Sequence, residues 1–66
     1  MTKGECIREA REAIGLTQQQ LGERIGLKPN SAQPVVAGWE RGDRPIPRRR
    51  VKEVADLLGL DIKDLI

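Results

Sequence analysis

The groups with chemistry to offer in this chain are charges and amides rather than nucleophiles or metal ligands. Histidine is absent and Cys6 is the single cysteine. A metal site built on His or paired Cys is excluded, as is a catalytic dyad that needs a His base. Ser31 and Cys6 have no base to activate them, and the acidic groups are spread over separate helix faces, so no constellation supports an enzyme. The basic residues, by contrast, gather. Residues 1–40 carry five basic and five acidic groups, and residues 41–52 carry Arg41, Arg44, Arg48, Arg49, Arg50 and Lys52 against Asp43 alone. Residues 53–66 carry Lys63 against Glu53, Asp56, Asp61 and Asp64. Local net charge is therefore zero, then +5, then −3, which gives the total of +2. Such a cluster on a near-neutral chain either faces a polyanion or forms a solvated charged face.

What must position these groups is small. A chain of 66 residues makes one domain at most, and a domain of this size buries only about 60% of its unfolded surface. With 38% apolar and 33% charged residues it has enough apolar material to fold. Trp39 is the one aromatic residue, which excludes a base-stacking surface of the RRM or OB type. An unpaired Cys6 gives no intramolecular disulfide and reads as a small packing or surface residue. No apolar run has the length of a membrane span and no signal-peptide pattern opens the chain, so the expectation is a soluble, cytoplasmic protein with no membrane partner.

The apolar periodicity predicts a series of short helices and no strand. In the first, from about Gly4 to Ile14, residues Ile7, Ala10, Arg11 and Ile14 share one face, with Thr2 placed to cap the start and Gly15 to end it. A second starts after Thr17, where Gln20 completes a capping-box pattern, and ends at Gly26, with Leu21 and Ile25 on the buried side. Residues 27–33 read as a turn and a helix start. Pro29 disfavours helix at Lys28, and Pro34 is tolerated only in a first turn, so the third helix is expected to be capped at Ser31, Ala32 or Gln33. It runs to about Arg41, burying Val36 and Trp39, and Gly42 ends it. After a loop over residues 43–47, Val51, Val54, Ala55 and Leu58 mark a fourth amphipathic helix from about Arg48, stopped by Gly59. Asp61 then caps a last turn or two.

Arg11 breaks the apolar pattern of the first helix. It either snorkels outward or is paired. Glu40 follows Trp39 on a helix that must pack against the first to bury that tryptophan, which makes Glu40 the candidate partner.

The residues Ile7-Arg8-Glu9-Ala10-Arg11, Gly15-Leu16-Thr17-Gln18-Gln19-Gln20-Leu21, Ile25-Gly26-Leu27, Trp39-Glu40-Arg41-Gly42 and Val54-Ala55-Asp56-Leu57-Leu58-Gly59-Leu60, taken together, resemble the phage repressor and Cro family of XRE-type helix-turn-helix domains. The resemblance runs from about residue 4 to 65. It implies an all-α, compact five-helix, lambda-repressor-like DNA-binding domain, a single helix-turn-helix domain over residues 1–66, with helix three entering the major groove of double-stranded DNA. It implies that Gln18 touches a phosphate and braces Gln33, and that Gln33 opens the recognition helix and reads adenine, whose N6 and N7 edge matches a carboxamide. Ala37 and Gly38 fall at further base-contacting positions, where a small residue can approach a thymine methyl. Arg41, Arg44 and Arg48 match the stretch that lies along the phosphate backbone. Arg11 and Glu40 match a structural ion pair. The chain departs from the family in the twelve residues between Gly26 and Trp39, more than relatives usually have. The excess is expected to enlarge the turn between helices two and three, around Lys28, Pro29, Asn30 and Ser31, and to bring Lys28 and Asn30 toward the phosphates.

These readings lead to a sequence-specific transcriptional regulator, a repressor of phage, plasmid or bacterial origin, with no cofactor, metal or small-molecule ligand. If five or so basic groups each neutralise a phosphate, log K should fall against log salt with a slope of roughly −4 to −5. One glutamine contact gives roughly 1–3 kcal/mol of discrimination, so a homodimer on a palindromic site is expected, with Leu60, Ile62, Leu65 and Ile66 either forming the dimer surface or closing the core. The alternative is an antitoxin-like protein-interaction module on the same fold, favoured by Pro34, Ala37 and Gly38 at positions where polar readers would sit.

Overall fold

The computed structural model describes residues 2–66. It contains four α-helices, α1 (Lys3–Ala13), α2 (Gln18–Arg24), α3 (Pro29–Arg41) and α4 (Arg48–Leu58), and a closing 3-10 turn, Ile62–Asp64; no strand occurs among the described residues. The expected fifth helix is thus a single 3-10 turn. Asp61 holds its cap position without a side-chain bond to the backbone.

The starts of α1 and α2 follow from capping boxes. Thr2 Oγ1 accepts from the Glu5 amide while the Glu5 carboxylate accepts from the Thr2 amide, at 3.1 and 2.9 Å. Thr17 and Gln20 repeat the arrangement at α2. Each box satisfies donors that a helix N-terminus leaves orphaned. The α2 helix closes at Gly26, whose φ of 93° lets the Leu27 amide reach back to the Gly22 carbonyl.

The largest departure from expectation lies next. The additional residues between Gly26 and Trp39 do not enlarge the turn; they lengthen α3, which starts at Pro29 rather than at 31–33. Pro29 forces Lys28 into extended backbone (φ −65°, ψ 144°) and itself supplies the fixed φ of a first helical residue. Pro34 therefore lies inside the helix, past its first turn. It lacks the amide that would bond the Asn30 carbonyl, a defect worth about 3 kcal/mol in a helix interior. Its ring and Asn30 both face solvent, where water can take up the freed carbonyl, and α3 is held by the side chains it buries.

Those side chains make the core. Ile7, Leu21, Val36 and Val54 are fully buried, one from each helix, with Trp39, Ile25, Val51, Leu58 and Leu65 packed around them. Ile14 was expected on this buried face but is half exposed, because α1 ends at Ala13 and Ile14 only caps it. Two glycines allow backbone approaches that no side chain would. A Cβ on Gly4 would stand 2.1 Å from the Glu40 carbonyl oxygen, and one on Gly22 would stand 2.5 Å from the Ala32 Cβ. The first sets α1 against the end of α3. The second sets α2 against its beginning.

Candidate nucleic-acid interface

At the junction of α1, α2 and α3 a chain of polar groups runs from the interior to the surface. Arg11 donates from Nε to Glu40 Oε2 at 2.7 Å and from Nη2 to Oε1 at 3.1 Å, and its Nη1 donates to the Leu16 carbonyl at 2.8 Å. Both side chains are nine-tenths or more buried, at 10% and 4% exposure. Hydrogen bonding to Glu40 holds the guanidinium above its ordinary pKa, against the opposing effect of burial. Arg11 is thus paired rather than snorkelled. Gln18 Nε2 donates to Glu40 Oε1 at 3.1 Å, and Gln33 Nε2 donates to Gln18 Oε1 at 2.9 Å. The helix turn that separates Gln33 from the start of α3 does not prevent this contact; Gln33 is the fifth residue of α3 rather than its first.

The outer face of α3 carries Asn30, Gln33 and Pro34, all exposed. Ala37 and Gly38 are not part of it. Ala37 is 6% exposed, and the stem of Arg44 lies over Gly38, whose Cβ would meet Arg44 Cδ at 2.8 Å. Neither presents surface to a base edge, which corrects the expectation from the resemblance. The exposed polar side chains of this outer face are therefore Asn30 and Gln33.

The basic cluster divides into groups that are engaged and groups that are not. Arg50 donates to the Ile25 carbonyl at the end of α2 and lies 3.6 Å from Glu53. Arg41 pairs with Asp43 at 2.8 Å, and Lys52 with Asp56 at 3.5 Å, both on the open surface. Arg44, Arg48 and Arg49 are exposed and take part in none of the ion pairs among the described residues. Arg41, Arg44 and Arg48 share the rim of one groove of about 1110 Å³ with Lys3 and Lys52, over a floor that includes Trp39 and Ile46. Lys28 is exposed at the cap of α3.

Sequence reasoning overlooked three positioning residues. Gln19 Nε2 donates to the Pro29 carbonyl at 2.7 Å and to Glu23 at 2.8 Å, tying α2 to the first turn of α3. Gly4 and Gly22 admit the two close approaches described above. The only signal for Gln19 is its place in a run of three glutamines, and the glycines carry none, since their contacts are made with residues distant in sequence, Gly4 with the backbone of Glu40 and Gly22 with Ala32. No group of three or more His, Cys, Asp or Glu side chains is arranged to hold a metal among the described residues. Among the described residues no helix is long and apolar enough to cross a membrane.

Comparison with known proteins agrees with this geometry. The Helix-turn-helix family model matches residues 7–65. Among solved structures, the restriction-modification controller protein C.AhdI from Aeromonas hydrophila is similar, with 31% sequence identity and a TM-score of 0.76 over 97% of this chain and 91% of that one. No curated protein matches. The chain belongs to the XRE-type helix-turn-helix family, whose members are DNA-binding transcription regulators.

Proposed function

We propose that this protein is a sequence-specific regulator that binds double-stranded DNA with α3 in the major groove, and acts as a repressor. The observation that carries the reading is Gln33: an exposed carboxamide, held by Gln18, on the helix that Arg44 lies across. A carboxamide matches the donor and acceptor edge of adenine. Gln18, Lys28, Asn30, Arg41, Arg44 and Arg48 contact phosphates and fix the register. The controller function named for C.AhdI supports a regulatory role of that kind here. One glutamine per half-site supplies roughly 1–3 kcal/mol of discrimination, so we propose a homodimer reading two half-sites about 34 Å apart on a palindrome. Ile62 and Ile66, 43% and 68% exposed, are offered as its contact surface, while Leu65 is 3% exposed and closes the core.

The division of the basic cluster sharpens the expected salt dependence. With Lys28, Arg44 and Arg48 as the phosphate-contacting cations outside the ion pairs, log K should fall against log salt with a slope of about −3 per protomer, shallower than the whole cluster would give. An Arg44→Ala, Arg48→Ala double variant should bring it to about −1. Selection from a random duplex library should recover a palindrome with adenine at a fixed place in each half. A flat salt slope in the wild type, or no recovered site, overturns the reading. The burial of Ala37 and Gly38 favours one competitor, a protein-interaction module related to antitoxins, and failed selection would point to it.

A further inference from the structure

We infer that the buried Arg11–Glu40 pair is a positioning device for base specificity, because it fixes which end of the Gln33 carboxamide faces outward. The inference rests on Gln33 meeting a base. A glutamine amide has one end that only accepts hydrogen bonds and one that only donates. Turning it over exchanges the two, and nothing in a solitary glutamine prevents that. Here the choice is removed step by step. Arginine can only donate, so Arg11 orients Glu40 as an acceptor with both oxygens engaged. An ionised carboxylate can only accept, so Gln18 must turn its NH2 toward Glu40 Oε1. The Gln18 carbonyl oxygen then points the other way and can only accept, so Gln33 must turn its NH2 toward it. What remains outward on Gln33 is its carbonyl oxygen and one N–H. That pair is complementary to adenine, whose N6 donates and N7 accepts, and mismatched to guanine, whose O6 and N7 both accept. A charge pair wholly inside the domain thus writes its polarity onto the surface through two amides.

The chain of logic reverses with one substitution. In Glu40→Gln one Arg11 donor loses its acceptor whichever way the new amide turns; with the new oxygen kept on Nε, the shorter wild-type bond at 2.7 Å, the new NH2 takes the place of Oε1 and faces Gln18. Gln18 must then present oxygen to residue 40 and NH2 to Gln33, and Gln33 must present oxygen inward and its NH2 outward. Two outward donors suit guanine. Binding of matched duplexes differing only at the selected adenine should therefore show the adenine-over-guanine preference falling roughly tenfold or more in Glu40→Gln, toward or past equality. Because that variant disturbs a buried ion pair, Gln18→Ala provides the second test. It leaves Arg11 and Glu40 joined while cutting the relay, so the preference should fall about tenfold with no gain for guanine and little change in thermal midpoint. Side-chain amide resonances of the DNA-free protein give an independent readout. One Gln33 Nε2 proton should exchange slowly in the wild type, and both should exchange fast in Gln18→Ala. Adenine preference unchanged in both variants overturns the inference, and so does equal Gln33 amide exchange in wild type and Gln18→Ala. A wild type without base preference but with the slow Gln33 proton would overturn base reading and leave the relay standing.

Discussion

Replacing Arg11 by alanine should remove most of the stability of this domain. The guanidinium makes three hydrogen bonds, two to Glu40 and one to the Leu16 carbonyl. Its loss leaves a carboxylate 4% exposed with Gln18 as its remaining donor, and a carbonyl without the partner it had. Stranding one member of a buried ion pair costs about 3–5 kcal/mol. A domain of 66 residues has roughly 3–10 kcal/mol of stability in total, so the variant should be partly unfolded at room temperature. With an unfolding entropy of about 0.14 kcal/mol/K for this length, the thermal midpoint should drop by about 20–35 °C. Trp39 makes the assay simple: it is the one aromatic residue, and at 4% exposure its emission should shift on unfolding. Urea titrations followed by that emission and by far-ultraviolet dichroism should show a midpoint about 3 M lower. The double variant Arg11→Met, Glu40→Leu should recover part of the loss, because removing both charges removes the uncompensated burial. An Arg11→Ala midpoint within a few degrees of the wild type would refute the reasoning.

Three further perturbations test the frame around the site. Gly4→Ala places a Cβ 2.1 Å from the Glu40 carbonyl oxygen, so the first turn of α1 must move, at a cost of about 1–3 kcal/mol or more; unchanged urea stability would contradict that contact. Pro34→Ala restores an amide donor inside α3 and should stabilise the protein by about 1–3 kcal/mol, raising the midpoint in calorimetry; a fall would mean that the proline is required by the packing. The Glu5 carboxylate is held below its ordinary pKa of 4.5, chiefly by the backbone amide of Thr2 and then by its side chain. A depressed folded pKa contributes stability that is full above the unfolded value and is lost as pH falls through the folded one. Thermal midpoints should therefore decline less steeply below about pH 4.5 in Glu5→Gln than in the wild type, and parallel curves would remove the capping box as the cause.

The features legible in the sequence were those that local chemistry determines. Thr17 with Gln20 marks a helix start because both partners lie within one turn, and the spacing of Val51, Val54, Ala55 and Leu58 marks a buried stripe because helical geometry alone aligns them. The start of α3 is masked by its second proline. Pro34 points to a start at residues 31–33 and Pro29 to the observed one: the rule confining proline to a first turn has a finite cost, and burying Ala32, Val36 and Trp39 offsets it. Ile14 failed in the opposite sense, since periodicity continues past a helix that has already ended. Ala37 and Gly38 lie at the expected helical positions, yet a side chain from six residues further along covers one of them, and no local pattern encodes that. Among the arginines, Arg50 could not be told from Arg49 by sequence, because what separates them is the Ile25 carbonyl on a different helix.

The stem of Arg44 resting on Gly38 ties two positions together. While residue 38 lacks a side chain, an arginine at 44 can lie flat across the helix; any larger residue at 38 evicts it and re-aims its charge. A side chain introduced at 38 should therefore redirect the guanidinium at 44, whereas shortening residue 44 should leave Gly38 uncovered and the backbone of α3 unchanged.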